Sequence, residues 1–358
     1  MYTNKIPFAI GALACAMLTA CGGGGGGGSS TAAGSGTQTP AAPSPSETEI
    51  AITGDNTSQV ASLGHLVVGN GLSLSAVAGE TLVGAALSSG PEVRVPSLVD
   101  LTFRAIDHAL DRTSSTSTTT PVGAFTGGET VNCSVSGNYV ITTESSQPIN
   151  VSSGDKSNVR YNNCVEQGVT ITGSISIVIN EASGLFESEQ AIKATTTFSN
   201  LQYRYESSST SMNGTVQAYR KATSLSRGSG WVKSDGFTYD ILRGEVKSVL
   251  KTTGLEVTFR DDSFETIYSI TQTASANFPK LKGRFAVTTV QPLAQNPNGI
   301  IKSGSINLAG AGSKLMLSYL QPSSNSTPLV QYQPDTDNDG KYEVQTTTTY
   351  EAFITPLW

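Results

Sequence analysis

An eleven-residue run of alternating side chains constrains the fold more than any other feature of this sequence. In the segment VTITGSISIVI (169–179) valine and isoleucine recur at every second position, interrupted once by Gly173, and the positions between them are mostly threonine and serine. A period of two places the two sets on opposite faces of a β-strand. A strand with one apolar and one polar face is typical of an antiparallel sheet that exposes one of its faces to solvent. Eleven residues of strand are about 36 Å long, so the sheet is long in the direction of its strands.

The same alternation recurs through the rest of the chain. It is found at Leu201/Tyr203/Tyr205, Leu255/Val257/Phe259, Phe285/Val287 and Leu315/Leu317/Tyr319. Turn-forming residues lie between these segments, at Gly228-Ser229-Gly230, Asp235-Gly236, Thr253-Gly254 and Asn296-Pro297-Asn298-Gly299. We expect about a dozen strands. Glycines inside the strand segments predict bends or bulges, and these are Gly173, Gly214, Gly283 and Gly304.

Residues 49–112 have a different period. Val60, Leu63 and Val67 fall at helical spacing behind the N-cap candidates of 55–58, and a second helix is predicted to open at Pro96. Residues 113–130 are predicted to be a loop rich in threonine, serine and glycine. The expected fold is mainly β, a long antiparallel meander whose sheet is curved or partly closed, with two short N-terminal helices on its apolar face. A β-sandwich is the alternative.

The composition suits a β protein whose exposed faces carry hydroxyl groups. Charged residues make up only 14% of the chain, and the formal net charge is −6. Nucleic-acid binding needs clustered lysine and arginine, and no such cluster is visible in the sequence. We therefore expect no nucleic-acid partner.

The first twenty residues have the pattern of an export signal. Lys5 precedes an apolar run that is shorter than a comfortable membrane span. The run ends in Leu18-Thr19-Ala20-Cys21, which resembles the lipobox of bacterial lipoproteins. The resemblance implies a diacylglyceryl group on Cys21, cleavage before it and acylation (palmitate) of the new amine. Cys15 is a poorer match to the same pattern.

A low-complexity segment follows the lipobox and links it to the folded part. Glycine occupies positions 22–28, and residues up to about 48 are rich in serine, threonine, alanine and proline. As a flexible coil this tether spans roughly 30 Å. The predicted organisation is a signal peptide at 1–20, a tether at 21–48, a helical section at 49–112 and a β-rich domain at 113–358.

Together these features resemble uncharacterised Gram-negative outer-membrane lipoproteins with a β-rich domain and an aspartate-rich hairpin. Gly22 stands where an acidic residue is typical of inner-membrane retention, so the resemblance implies the outer membrane. The periplasmic face and the cell surface both remain open. The implied partner is the membrane, through the lipid anchor, and a protein or glycan partner is not identified.

Two cysteines lie in the β-rich part. Cys133 and Cys164 are candidates for a disulfide, because an exported protein reaches an oxidising compartment. Closing a loop of this length contributes about 3–4 kcal/mol in the chain-entropy model. The alternative is a pair of buried free thiols.

An aspartate-rich segment near the C-terminus is the sharpest ligand motif. Asp335, Asp337 and Asp339 precede Gly340 at the spacing of the first half of a calcium loop, and Glu343 occupies position nine. Position twelve is Thr346, where an EF-hand requires glutamate, and the flanks look like strands. Calcium held in a β-hairpin loop and a metal-free hairpin turn are both open.

No catalytic residues are predicted. His65 and His108 are the two histidines, too few to indicate a zinc site. The expected function is that of a lipid-anchored cell-envelope protein with a non-enzymatic binding, scaffold or adhesion role. The alternatives are a carrier that holds an apolar or lipid ligand in its curved sheet, and a hydrolase of envelope polymers.

Overall fold

The computed structural model describes residues 48–81, 125–145, 152–166, 168–183, 190–224, 227–262, 265–296, 301–321 and 329–349, with the side chains of 70–81, 125–127, 190, 222–224, 227 and 262 left out. The predicted signal peptide, Cys21, the tether up to residue 47 and the second predicted helix lie outside these residues.

Fourteen antiparallel strands follow one another in a single sheet, each paired with the next along the chain. They are β1 (Phe125–Asn132), β2 (Ser136–Ser145), β3 (Lys156–Glu166), β4 (Val169–Ser183), β5 (Gln190–Tyr205), β6 (Ser208–Ser224), β7 (Arg227–Arg243), β8 (Val246–Asp262), β9 (Glu265–Asn277), β10 (Lys282–Gln295), β11 (Ile301–Gly310), β12 (Ser313–Leu320), β13 (Leu329–Asp335) and β14 (Thr346–Thr349). The predicted meander is confirmed, and the strands do not divide into the two sheets of a sandwich. Among the described residues no ladder joins β1 to β14, so the sheet is open.

Three of the four predicted turns are wrong. Gly228-Ser229-Gly230 and Asp235-Gly236 lie inside β7, and Thr253-Gly254 lies inside β8. The register of β6 against β7 shifts between Thr215 and Gln217, opposite Asp235, and that of β8 against β9 shifts beside Gly254. These sequences therefore form irregularities within strands of 17 residues, and the strands do not end there. Most of the fourth segment, residues 297–300, lies outside the described residues.

The four glycines predicted to mark bends or bulges share an unusual backbone conformation. Gly173, Gly214, Gly283 and Gly304 all have positive φ, between +98° and +146°. At Gly173 the register between β4 and β5 shifts, and a Cβ would overlap the main chain of Asn200. An extra residue in one strand increases the local twist of a sheet, so such positions bend the long strands.

The first strand begins earlier than predicted. β1 opens at Phe125, within the segment expected to be a loop, and pairs with β2 along its whole length. Its Gly127-Gly128 and threonines carry no apolar alternation, and the strand exists because β2 supplies its hydrogen-bond partners.

The helix α1 (Thr57–Thr81) begins where the N-cap residues predicted. Asn56 lies at the N-cap position, and its carbonyl accepts the amide hydrogen of Val60. The helix is 25 residues long and so exceeds the short helix predicted. Glycines at 69, 71 and 79 lower helix propensity, which concealed the continuation.

The core runs along the apolar face of the sheet, from Tyr139 in β2 to Val330 in β13, and α1 packs on part of it. Val60, Leu63 and Val67 are fully buried, and α1 packs against β6 to β9 and against β12. β6 and β12 are six strand spacings apart, about 29 Å in a flat sheet, and a helix of 25 residues is about 37 Å long. One helix can therefore contact strands that are far apart in the sheet. No helix within the described residues is long and apolar enough to cross a membrane.

Candidate functional site

The chain connections alternate between two ends of the sheet, as an antiparallel meander requires. The connections after the odd-numbered strands share one end, which we call the proximal end. Residues 48–56 also lie there, because Glu49 bridges to Arg284 at the start of β10 and the carbonyl of Ile50 accepts the amide hydrogen of Ala311. The predicted tether thus joins the sheet at its proximal end.

The aspartate-rich segment forms the β13–β14 connection at this proximal end. Asp335 closes β13 and is only 1% exposed, whereas Asp337 and Asp339 are exposed. One carboxylate oxygen from each of the three aspartates lies within 4.8 Å of the others. The structure therefore brings together three of the four predicted metal ligands; we refer to Asp335, Asp337 and Asp339 as the aspartate cluster.

Main-chain amides hold each carboxylate of the aspartate cluster in place. Gly340 donates to Oδ2 of Asp335 (3.1 Å), the amide of Asp339 donates to Oδ1 of Asp337 (3.1 Å), and Lys341 donates to Oδ1 of Asp339 (2.7 Å). Left-handed φ values at Asn338 (+59°) and Gly340 (+85°) allow the chain to turn this tightly. In this way the loop itself orients the three side chains toward one another.

Glu343, the fourth predicted ligand, makes a different contact. Its Oε1 accepts hydrogen bonds from the amide (3.0 Å) and the hydroxyl (2.7 Å) of Thr336. The amide of Glu343 donates to the carbonyl of Pro334 (2.9 Å). Glu343 therefore ties the two sides of the loop together at its base.

The disulfide Cys133–Cys164 is also at the proximal end. It joins the β1–β2 connection to β3, with the two Cα atoms 5.5 Å apart and both residues buried. The predicted bridge is present, and the free-thiol alternative is not. Nearby, the Ser134 amide and hydroxyl donate to the Glu166 carboxylate. Because the two sulfurs are bonded to each other, Cys133 and Cys164 do not offer thiolates to a metal.

His65 lies inside the core, on the face of α1 that packs on the sheet. Its Nδ1 is 3.1 Å from the hydroxyl of Tyr319 in β12. Burial lowers the pKa of His65 to about 4, so the ring is neutral at pH 7. His108 lies outside the described residues.

A partly buried ion pair was missed by the sequence analysis. Arg220 of β6 and Asp261 of β8 lie 3.0 Å apart near the opposite end of the sheet, and Thr266 donates to Asp261. Burial raises the pKa of Asp261, while the Arg220 guanidinium and the Thr266 hydroxyl oppose that rise. A signal did exist, because Arg220 continues the apolar register of Val216 and Ala218. A charged residue at such a position needs a partner.

The outer face of the sheet is polar and carries an aromatic pair. Tyr219 and Trp231 stack across β6 and β7 with ring centroids 6.0 Å apart, and the Lys233 ammonium lies 5.2 Å from the Trp231 ring.

A cavity of about 450 Å³ lies at the β3–β4 bulge and is lined by polar groups that include Arg160, Asn162 and Asn163.

Comparison with known proteins gives no match to a family model, to a curated protein or to a solved structure.

Proposed function

We propose that this chain is an exported lipoprotein, held at the outer membrane through Cys21, with a non-enzymatic binding or scaffold role in the cell envelope. The observation that carries the export step is the disulfide Cys133–Cys164, since such bridges persist in oxidising compartments. The lipobox Leu18-Thr19-Ala20-Cys21 supports the anchor, because several acyl chains together give stable membrane attachment.

The two faces of the sheet support a binding role over a carrier role. Over β6 to β9 and β12 the apolar face is covered by the chain's own α1, whose Val60, Leu63 and Val67 are fully buried. The outer face presents rows of hydroxyl and amide groups, as in the cross-strand pair Thr197 and Thr215 (3.2 Å). An extended polar face of this kind suits a protein or glycan partner that is recognised through hydrogen bonds.

The anchor is tested by metabolic labelling with an alkyne-tagged fatty acid. The native chain should incorporate the label and fractionate with outer membranes. Cys21→Ser should lose both properties, and the matched control Cys15→Ser should keep them. An unlabelled native chain, or a Cys21→Ser chain that still carries label, would refute the anchor.

The binding role is tested by a photo-crosslinking amino acid placed on the outer face. At Gln217, an exposed position in β6, it should capture a reproducible envelope component in intact cells. The same group at Val344, which is 73% exposed at the proximal end, should not capture that component. Failure to capture anything at Gln217 contradicts binding through this face.

A further inference from the structure

We propose that the aspartate cluster is a calcium site, formed by Asp335, Asp337 and Asp339 in the β13–β14 connection. This inference is independent of the lipid anchor and of the outer face of the sheet. It assigns a divalent-cation ligand to the one connection in which the described chain brings three carboxylates together.

An unpartnered oxygen lies at the buried end of the aspartate cluster. Asp335 is 1% exposed, and its Oδ1 has no hydrogen-bond partner among the described residues, while its Oδ2 accepts from Gly340. A buried carboxylate oxygen without a partner is costly, since it has lost water and gained nothing in return. A cation bound at this oxygen would remove the cost.

The geometry of the aspartate cluster fits one ion. Oxygens that bind the same calcium ion at about 2.4 Å can be at most about 4.8 Å apart. The three carboxylates meet this limit, with one oxygen of each within 4.8 Å of the others. Calcium takes six to eight oxygen ligands, so main-chain carbonyls and water complete the shell.

The charge of the loop favours a dication. Residues 335–343 contain four carboxylates and a single ammonium, that of Lys341. The Lys341 Nζ lies 3.1 Å from Oδ2 of Asp339, yet its side chain is 87% exposed. An exposed ion pair is weak, so an entering ion displaces this ammonium readily.

Calcium is favoured over magnesium by the nature of the loop. Magnesium requires near-ideal octahedral geometry and gives up its water reluctantly, whereas calcium tolerates irregular carboxylate cages. The carboxylates of the aspartate cluster come from an irregular connection between strands and differ in burial. Glu343 is a positioning residue, because its bonds to Thr336 close the base of the loop.

The test is isothermal titration of the purified, chelator-treated full chain with calcium chloride, paired with thermal unfolding. Native protein should bind one calcium ion, and its melting temperature should rise with calcium and fall again with chelator. Asp337→Asn and Asp339→Asn should each weaken binding by about tenfold or more. Both residues are exposed, so neither change is expected to impair folding.

Two further variants separate binding from general charge effects. Asp240→Asn removes the same charge from an exposed position in β7 and should bind like the native chain. Lys341→Gln removes the competing ammonium and should tighten binding severalfold, a gain that misfolding cannot produce. The proposal is overturned if calcium gives no heat and no rise in melting temperature, or if the Asp337→Asn and Asp339→Asn variants bind as native does. Equal affinity for magnesium would overturn the choice of calcium.

Discussion

At the scale of single residues, the burial of His65 makes the stability of the fold depend on pH. The ring is 7% exposed and contacts Tyr319 from inside the core. Water is excluded from the site, so the imidazolium form is disfavoured and the pKa falls to about 4. The unfolded chain, by contrast, binds a proton near pH 6.5.

This difference makes the free energy of unfolding depend on pH. Between pH 6.5 and pH 4 the unfolded state binds more protons at this position than the folded state, so stability is present above pH 6.5 and is lost as the pH falls toward 4. The loss from His65 alone should be about 3 kcal/mol. Urea unfolding of native protein and of His65→Gln at pH 7 and pH 4 measures it, because carboxylates titrate equally in both chains. Parallel pH profiles for the two proteins would contradict the assignment.

At the scale of elements, α1 lies so close to the sheet that one of its positions excludes a side chain. Gly64 is buried in the helix interior, and a Cβ there would overlap the methyl groups of Leu308 in β11. Leu308 is fully buried and has little room to move. Glycine normally weakens a helix, so its presence here reflects the packing distance between α1 and the sheet.

Gly64→Ala should therefore destabilise the protein by about 1–3 kcal/mol, despite its better helix propensity. Gly69 is the matched control, since it lies in the same helix and a Cβ there would meet nothing within 4 Å. Gly69→Ala should leave stability unchanged or raise it by up to about 1 kcal/mol. Denaturant unfolding of the two variants checks the ordering, and the reverse ordering would show that α1 does not pack on β11 as described.

The ion pair Arg220–Asp261 also belongs to this scale, because it joins β6 to β8 across the intervening β7. The two residues are 41 positions apart in the chain, and the Arg220 guanidinium lies beside Gly228 of β7. A Cβ at Gly228 would be 3.0 Å from Nε of Arg220 and 3.1 Å from the carbonyl oxygen of Lys221. Sequence spacing alone does not reveal such a pairing, since it depends on which strands become neighbours.

At the scale of the whole molecule, the disulfide closes one end of an open sheet. Cys133 and Cys164 are 31 positions apart and enclose β2 and most of β3. These strands lie near the free edge of the meander at β1, which pairs on one side only. The cross-link restricts the unfolded chain and so stabilises this edge of the sheet.

Removing this bridge with the double change Cys133→Ala and Cys164→Ala should lower the free energy of unfolding by about 3–4 kcal/mol. Reduction of the native protein should have a similar effect, and a reductant should not affect the double variant. Equilibrium denaturation with and without reductant checks both expectations. An unchanged midpoint in the double variant would mean that the proximal end is stable without the cross-link.

The sequence by itself determined the class of the fold, one end of α1 and the chemistry of the loop. Period-two alternation requires only that neighbouring side chains point to opposite faces, which is a local property of the extended chain. The N-cap before Val60 and the spacing of Asp335, Asp337 and Asp339 are local in the same sense. Patterns that depend on a few adjacent residues can be read without knowledge of the rest of the chain.

Tertiary structure alone decided the length of the strands, the curvature of the sheet and the contacts between distant residues. Asp235-Gly236 and Thr253-Gly254 have the composition of turns, yet they lie inside β7 and β8 because the ladder between these strands resumes beyond them, with Ser234 opposite Leu255 and Phe237 opposite Thr252. Glu343 carries a carboxylate that could bind a metal, but the geometry of the loop directs its Oε1 to the Thr336 hydroxyl. A glycine, a carboxylate or an arginine takes its role from the groups that face it across space, and the fold alone determines which groups those are.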